Sequence, residues 1–287
     1  MERKRVVITG AEGMLGTALR EVAPQQYEAI GVDLAQGDLT RPHEARGAIQ
    51  PHDPFAVIHC AAYADVDGCS RDPERAYEVN ARGTANVAVA CQECDCYLVM
   101  LSTDYVFDGT KGTPYVETDE PHPLNPYGES KLLAEKYARE SHDKLLVART
   151  QWLYGPNGKN FVRTIVTKGR ETGKLRVVSD EWGSPTYTRD LAARLWQLID
   201  LQPTGILHCA NSGICTWSQL ARTALEAAGA GNVEVEDISW RDWVSPTNRP
   251  HYSSLVSNRL EELGLTPLRE WSEAAREYAS TYLRSDT

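Results

Sequence analysis

Two stretches of the chain carry residue types suited to acid–base chemistry. In "LSTDYVFDG" (101–109) the apolar run Tyr97-Leu98-Val99-Met100-Leu101 ends in Ser102, Thr103, Asp104 and Tyr105. In "PLNPYGESKLLAEK" (123–136), Tyr127 and Lys131 stand four residues apart at the start of a helical stretch. That spacing sets both side chains on one helix face, about 5–6 Å apart at Cβ. An ammonium beside a phenol favours phenolate, so the pair predicts a tyrosine with a lowered pKa, usable as a general acid or base near neutral pH. Ser, Thr and Asp are also ordinary turn formers, and Ser102 and Asp104 are expected to support the turn.

The elements that must position these residues are legible as apolar runs. Val6-Val7-Ile8, Ala29–Val32, Phe55–Ala61, 97–101 and Leu145–Ala148 read as strands, with helix-like stretches such as Ala76–Cys91 and Ser130–Glu140 between them. Nearly continuous apolar strands alternating with helices predict an α/β fold with a Rossmann-like, doubly wound parallel sheet. Beyond Trp152 the alternation loosens, and Gly205–Cys209 reads as a return to the sheet. The C-terminal third carries Trp217, Trp240, Trp243 and Trp271, with prolines at 246, 250 and 267. This predicts a dinucleotide-binding part at 1–155, returning around 186–212, and a smaller C-terminal substrate-binding lobe from 156–185 and 213–287.

After the first strand comes Gly10-Ala11-Glu12-Gly13-Met14-Leu15-Gly16, leading into a helix-compatible Thr17–Val22. Glycines permit a tight turn and close backbone approach to a pyrophosphate, and the helix N-terminus supplies free N–H donors. Placed between strand and helix, the loop predicts a dinucleotide site formed by Gly10, Gly13, Met14, Leu15 and Gly16. Asp33 ends the second strand, where a carboxylate can bond both adenosine ribose hydroxyls. It would repel a 2′-phosphate, and no Arg follows before Arg41, so NADH is favoured with NADPH as the second choice. Asp38 and Leu39 are expected to flank the adenine; Ala61, Ala62 and Tyr63 line the pyrophosphate and nicotinamide side.

At 287 residues, 41% hydrophobic and 24% charged, the chain has the composition of a soluble globular protein. Thirty Lys and Arg against 40 Asp and Glu give a net charge of -10. That field works against nucleic-acid or anionic-membrane surfaces while allowing a local anion pocket. The apolar run after Met1-Glu2-Arg3-Lys4-Arg5 is too short for an export signal. No segment approaches the roughly 18 apolar residues of a membrane span, and a cytoplasmic chain is expected. Seven scattered cysteines predict reduced structural thiols. Cys91, Cys94 and Cys96 lack a second paired cluster to complete a zinc site, so no metal is expected.

In order and separation, the glycine loop, the strand ending Ser102-Thr103 and Tyr127-x-x-x-Lys131 resemble the extended short-chain dehydrogenase/reductase superfamily. Within it, "STDYVFDG", "ETDEPHPLNPYGESK" and "NRPHYSSL" closely resemble the dTDP-4-dehydrorhamnose reductase family over essentially the whole chain. The resemblance implies NAD(P)H-dependent reduction of the C4 ketone of a dTDP-linked 4-keto-6-deoxy sugar, giving dTDP-L-rhamnose. It assigns Thr103 to orienting the carbonyl, Tyr127 to donating the proton, and Lys131 to the nicotinamide ribose and to tuning Tyr127. Trp152 is implied as an apolar wall for the sugar, and Asn160 and Arg249 as diphosphate ligands. Related sugar-nucleotide dehydratases carry Thr-Asp-Glu where this chain has Thr103-Asp104-Tyr105, which disfavours elimination. Some bacterial relatives pair through magnesium held by a glutamate early in the first helix. This chain has Thr17-Ala18-Leu19-Arg20 there, with Glu21 only later, so that site is not carried over and a homo-oligomer is left open. Two other readings stand beside the reductase: a reductase or epimerase of another nucleotide-linked 4-keto sugar, and a non-catalytic regulatory subunit like that of methionine adenosyltransferase.

Overall fold

Strand β1 (Lys4–Thr9) buries Val6 and Ile8 on one face and Val7 on the other, as a strand with helices on both sides must. The computed structural model describes residues 2–243 and 245–284; Met1, Val244 and 285–287, which fall within the two expected segments, lie outside the described residues. With β2 (Tyr27–Val32), β3 (Ala56–His59), β4 (Tyr97–Thr103), β5 (Leu145–Thr150) and a last strand, Gly205–His208, β1 forms a six-stranded sheet. Its order is β2, β1, β3, β4, β5, Gly205–His208, and every neighbouring pair is parallel. The chain leaves β1 to one side for β2 and to the other for β3. The reversal opens a crevice at the carboxyl ends of β1 and β3, where ligands of such sheets bind.

One face of the sheet is covered by α1 (Met14–Glu21) and, from later in the chain, a helix at Thr188–Leu201. Leu15, Leu19, Leu191, Leu195 and Trp196 pack there on Ile8, Ile58 and Val99. The other face is covered by α2 (Pro42–Ile49) and by two helices at Gly83–Glu93 and Pro126–Ser141. Between β3 and Gly83 lie α3 (Val66–Arg71), α4 (Pro73–Ala76) and one π turn, Tyr77–Arg82, which runs into α5 (Gly83–Glu93). The helix expected over Ala76–Cys91 is therefore present but interrupted. Strand β4 extends two residues past the expected 97–101, so Ser102 and Thr103 belong to the sheet and pair with Arg149 and Thr150 of β5.

α6 (Pro126–Ser141) starts on an Asn125 cap that accepts from Gly128 N, with Pro126 at its first position. A second hydrophobic cluster gathers α7 (Phe161–Thr172), α9 (Trp217–Ala227), α10 (Trp271–Tyr282) and the parallel strands Lys174–Val178 and Glu234–Ile238, with α8 (Thr188–Leu201) left on the sheet. The stretch 255–265 does not stay with that cluster. Leu255 bridges to Tyr115, and Leu260, Leu263 and Leu265 pack against the sheet core. No helix among the described residues is long and apolar enough to cross a membrane, and all seven cysteines are free thiols.

Candidate active site

At the β1/β3 crevice, Gly10 turns the chain at φ +65°, and a Cβ there would stand 2.7 Å from Ala61 N. Only glycine lets the turn after β1 and the loop after β3 touch through backbone. Helix α1 follows with Gly13 as its cap, no side chain on its first-turn N–H groups and no acidic residue among them. Such amides are free for a phosphate. A pocket of about 390 Å³ opens here, lined by Gly10, Gly13, Asp33, Asp38, Leu39, Ala61, Ala62 and Tyr63, with Arg75 beside them. The side chains of this turn face elsewhere, Leu15 into the sheet core and Met14 against Asn160, while a Cβ on Gly16 would come 2.3 Å from Gly10 O. The Asp33 carboxylate accepts from Glu12 N (3.0 Å) and Leu34 N (3.1 Å), which fixes it at the end of β2. Asp38 accepts from the Thr40 hydroxyl and N–H, and these bonds hold its carboxyl below the usual range. A glycine cradle, unclaimed helix amides and a fixed carboxylate at the strand end fit a dinucleotide.

Sequence reading did not single out the residue that fixes the loop after β3. Asn80, fully buried in the π turn, accepts from Tyr63 N (2.7 Å) and donates to Tyr63 O and to Ser130 Oγ (2.9 Å) on α6. It ties the coenzyme side of the crevice to the helix that carries Tyr127 and Lys131. A π turn often marks such a site, but its extra residue has no sequence signature.

Thr103, Tyr127 and Lys131 converge at the carboxyl end of β4. A Cβ on Gly128 would meet Tyr105 O at 2.1 Å, so glycine next to Tyr127 is what allows α6 to start against the turn Asp104–Val106. Thr103 Oγ1 donates to Asp104 Oδ1 (3.0 Å) and accepts from Tyr105 N (3.2 Å), which caps that turn. The Tyr105 and Tyr127 rings meet edge to face, centroids 5.5 Å apart. Burial pushes Tyr127 above its ordinary value, and the Thr103 hydroxyl pulls weakly the other way. This reverses the expectation of a lowered tyrosine. The Lys131 ammonium, 3% exposed, is turned to the Leu101 carbonyl (2.6 Å) and does not set the charge state of Tyr127. Burial instead pulls Lys131 itself down to about 8, against the opposing pull of Glu135. Tyr127 is thus a neutral O–H, the form a proton donor needs.

Asp104 holds the turn, its carbonyl accepting from Phe107 N (3.0 Å). Its carboxylate accepts from Ser253 (2.6 Å), and burial pushes it up to about 6 while the Ser253 and Thr103 bonds resist. Ser102 does not support the turn. Inside β4 its hydroxyl donates to the buried Glu135 (2.6 Å).

A larger cavity, about 850 Å³, lies on the side of the second cluster. Its walls are aromatic and aliphatic, with Phe161, Trp217, Trp240 and Trp243, and its lining cations include Lys168, Arg241 and Arg249, while Lys174 and Arg176 are paired with Glu234 and Glu236. Arg249 reaches from the cavity to Tyr105, whose ring packs on Tyr127, donating to Tyr105 Oη (3.0 Å) and to Asp67 Oδ1 (2.8 Å). Trp152 and Trp217, both half-buried, stack with ring centroids 3.4 Å apart, and Trp217 lines the cavity. Asn160 does not line it. Its carbonyl caps α7 by accepting from Arg163 N, and its amide is committed to Gly155 O and Tyr278 Oη. Among the described residues, no group of three or more His, Cys, Asp or Glu is placed to hold a metal ion.

Residues 4–284 match the family model described as RmlD substrate binding domain. The chain is 39% identical to a dTDP-4-dehydrorhamnose reductase of Mycolicibacterium smegmatis over 99% of its own length and 88% of the relative's. It is 34% identical to a dTDP-4-keto-6-deoxy-D-glucose reductase of Streptomyces niveus over 94% of each chain. The crystal structure of a Bacillus anthracis dTDP-4-dehydrorhamnose reductase in complex with NADP superposes with a TM-score of 0.93 at 37% identity, covering 96% of this chain and 98% of that one.

Proposed function

The chain belongs to the RmlD substrate binding domain family, and on that premise we propose that it is an NAD(P)H-dependent oxidoreductase that reduces the C4 ketone of dTDP-4-dehydro-L-rhamnose to dTDP-L-rhamnose. The observation that carries the reading is a neutral, half-buried Tyr127 beside Thr103, with Lys131 one turn further along α6. When bound, the coenzyme supplies hydride to the carbonyl carbon. Tyr127 donates its proton to the ketone oxygen, and the Thr103 hydroxyl orients that oxygen and stabilises the developing alkoxide. Lys131 holds the nicotinamide ribose, the amides at Gly10–Gly16 the pyrophosphate, and Asp33 the adenosine ribose. At the dehydratase glutamate position stands Tyr105, which burial keeps neutral with its pKa pushed up to about 12, so no carboxylate base is available there to take the ring proton that elimination requires.

The segments 156–185 and 213–287 serve as the substrate lobe. Their aromatic walls suit a nucleobase and sugar, and their cations suit a diphosphate, with Arg249 binding it as a fork. Trp217, stacked on Trp152, takes the apolar-wall role. NADH is the preferred coenzyme, because the fixed Asp33 carboxylate repels a 2′-phosphate. The Streptomyces niveus relative favours one second reading, reduction of a 4-keto-6-deoxy sugar of other configuration. The test is the loss of reduced-nicotinamide absorbance with dTDP-4-dehydro-L-rhamnose, assayed separately with NADH and NADPH, with the product sugar identified. Turnover to dTDP-L-rhamnose is expected; coenzyme binding without turnover would overturn the assignment.

A further inference from the structure

The coenzyme crevice holds one cation that the reaction scheme above leaves without a task. Of the residues lining the β1/β3 pocket, Glu12, Asp33 and Asp38 are acidic, and Arg75 is the only Lys or Arg. His59 also lines it but is buried and neutral between the Thr9 and Thr84 hydroxyls. Arg75 stands in α4, where the Asp72 carboxylate accepts from its N–H at 3.1 Å. Four residues further on, Val79 lines the same pocket, so both side chains belong to the face turned toward it. The neighbouring arginines are spent in pairs, Arg71 with Asp65 at 3.4 Å and Arg82 with Glu78 at 3.0 Å, whereas among the described residues no carboxylate lies at salt-bridge distance from Arg75.

Tyr63 holds this unmatched cation in place. The Arg75 guanidinium lies over the Tyr63 ring, 4.7 Å from its centroid, where the ring face attracts positive charge. The ring is itself fixed. Its hydroxyl sits where a Cβ on Gly68 would collide with it, and the Tyr63 N–H and carbonyl are both bonded to Asn80. Sheet order then decides which part of a coenzyme the cation meets. β1 lies between β2 and β3, so Asp33 at the end of β2 and Tyr63 just beyond β3 stand about two strand spacings apart, roughly 9–10 Å. A dinucleotide with its adenosine ribose on Asp33 carries its pyrophosphate across the Gly10–Gly13 turn toward β3 and away from Asp33. The amides of that turn offer hydrogen bonds but no full charge, and the other ionised groups lining the pocket are carboxylates. We propose that Arg75, preset over Tyr63, is a binding residue for the coenzyme pyrophosphate and supplies the positive charge that the glycine loop lacks.

The inference deepens the coenzyme reading and rests on it, so its test reads binding and not turnover. Dissociation constants of NADH and NADPH are measured by coenzyme fluorescence for the wild type, R75M and R75K, from about 0.05 to about 0.5 M NaCl, a range over which exposed charges become screened. At low salt R75M should bind both coenzymes about tenfold more weakly. R75K, which keeps the charge without the fork, should recover part of the loss. Salt should weaken coenzyme binding less in R75M than in the wild type, a difference that a purely structural role for Arg75 would not produce. Three results overturn the inference: an R75M affinity for NADH within twofold of the wild type, a loss confined to NADPH, which would put Arg75 on the 2′-phosphate, or a loss in both with the salt dependence unchanged. Absence of coenzyme binding by the wild type overturns the coenzyme reading itself and takes this inference with it.

Discussion

Arg249→Met is the substitution that most directly tests where the substrate diphosphate sits. In the structure the Arg249 guanidinium is shared between Tyr105 Oη at 3.0 Å and Asp67 Oδ1 at 2.8 Å, with the Arg249 and Asp67 side chains about one-third exposed. A pair of that exposure is worth about 1 kcal/mol at most. A diphosphate engaged by two charge-assisted hydrogen bonds gains about 1.5–3 kcal/mol from each. Substrate therefore outcompetes Asp67, and the net contribution of Arg249 is about 3 kcal/mol, roughly a hundredfold in kcat/KM. The loss should fall on KM, since the diphosphate is distant from the reacting carbon and is bound equally in ground and transition states. Arg249→Lys keeps the charge without the fork and should recover about tenfold of it. Asp67→Asn releases the guanidinium beforehand and should lower KM by up to about fivefold, the worth of the broken pair. Steady-state kinetics on the nucleotide sugar at saturating coenzyme provide the assay. A structural role for Arg249, holding Asp67 and Tyr105, makes a different forecast: D67N/R249M would then regain wild-type KM. Either that recovery, or a KM within twofold of wild type in R249M, refutes the placement.

Tyr127→Phe removes only the proton donor, and kcat should fall by about 10²- to 10⁴-fold with NADH and NADPH dissociation constants unchanged by fluorescence titration; unaltered turnover would remove Tyr127 from the chemistry. Asp33→Ala should shift the ratio of NADH to NADPH affinity toward NADPH, and an unchanged ratio would make Asp33 a strand end only. Acid stability follows from two buried histidines: burial pulls His59 down to about 3 and His208 down to about 4, from the usual 6.5. Their unfolded forms take up protons below pH 6.5 while the folded forms do not. The stability they contribute is complete above pH 6.5 and lost as pH falls toward 4, at up to ~1.4 kcal/mol per pH unit for each. Asp104, raised to about 6, acts with the opposite sign between pH 6 and 4 and offsets one of them. Urea midpoints should therefore fall from pH 6.5 to 4.5, and His208→Gln should flatten the fall; an equally steep fall in H208Q would show that other groups govern it.

The sheet and its coenzyme crevice were legible because their signals are local. Each strand is a nearly unbroken apolar run, and the glycine loop, Asp33 and Ala61-Ala62-Tyr63 follow the strands whose carboxyl ends meet at the β1/β3 reversal. Asn125, Pro126 and Gly128 likewise announce the start of α6 through cap and close-approach chemistry. What did not follow from sequence was the direction of side chains with two available partners. Lys131 shares a helix face with Tyr127, as spacing requires, but its ammonium finds a strand carbonyl, Leu101 O. Asn160 has the right chemistry for a phosphate ligand and is spent on a helix cap, while Trp152, at a backbone φ of +46°, stacks on Trp217.

Glu135 shows where a better reading was within reach. "YGESKLLAE" places it four residues beyond Lys131 as surely as Lys131 stands four beyond Tyr127, so the helix periodicity that linked the first two also put a carboxylate on the same face. Periodicity could not say that this face is dry. That depends on α6 lying flat on β4 and β5, a packing arrangement that only the assembled sheet reveals, and it seats the carboxylate against Arg149 of β5 and Ser102 of β4. The same carboxylate on an exposed helix face would be worth a few tenths of a kcal/mol.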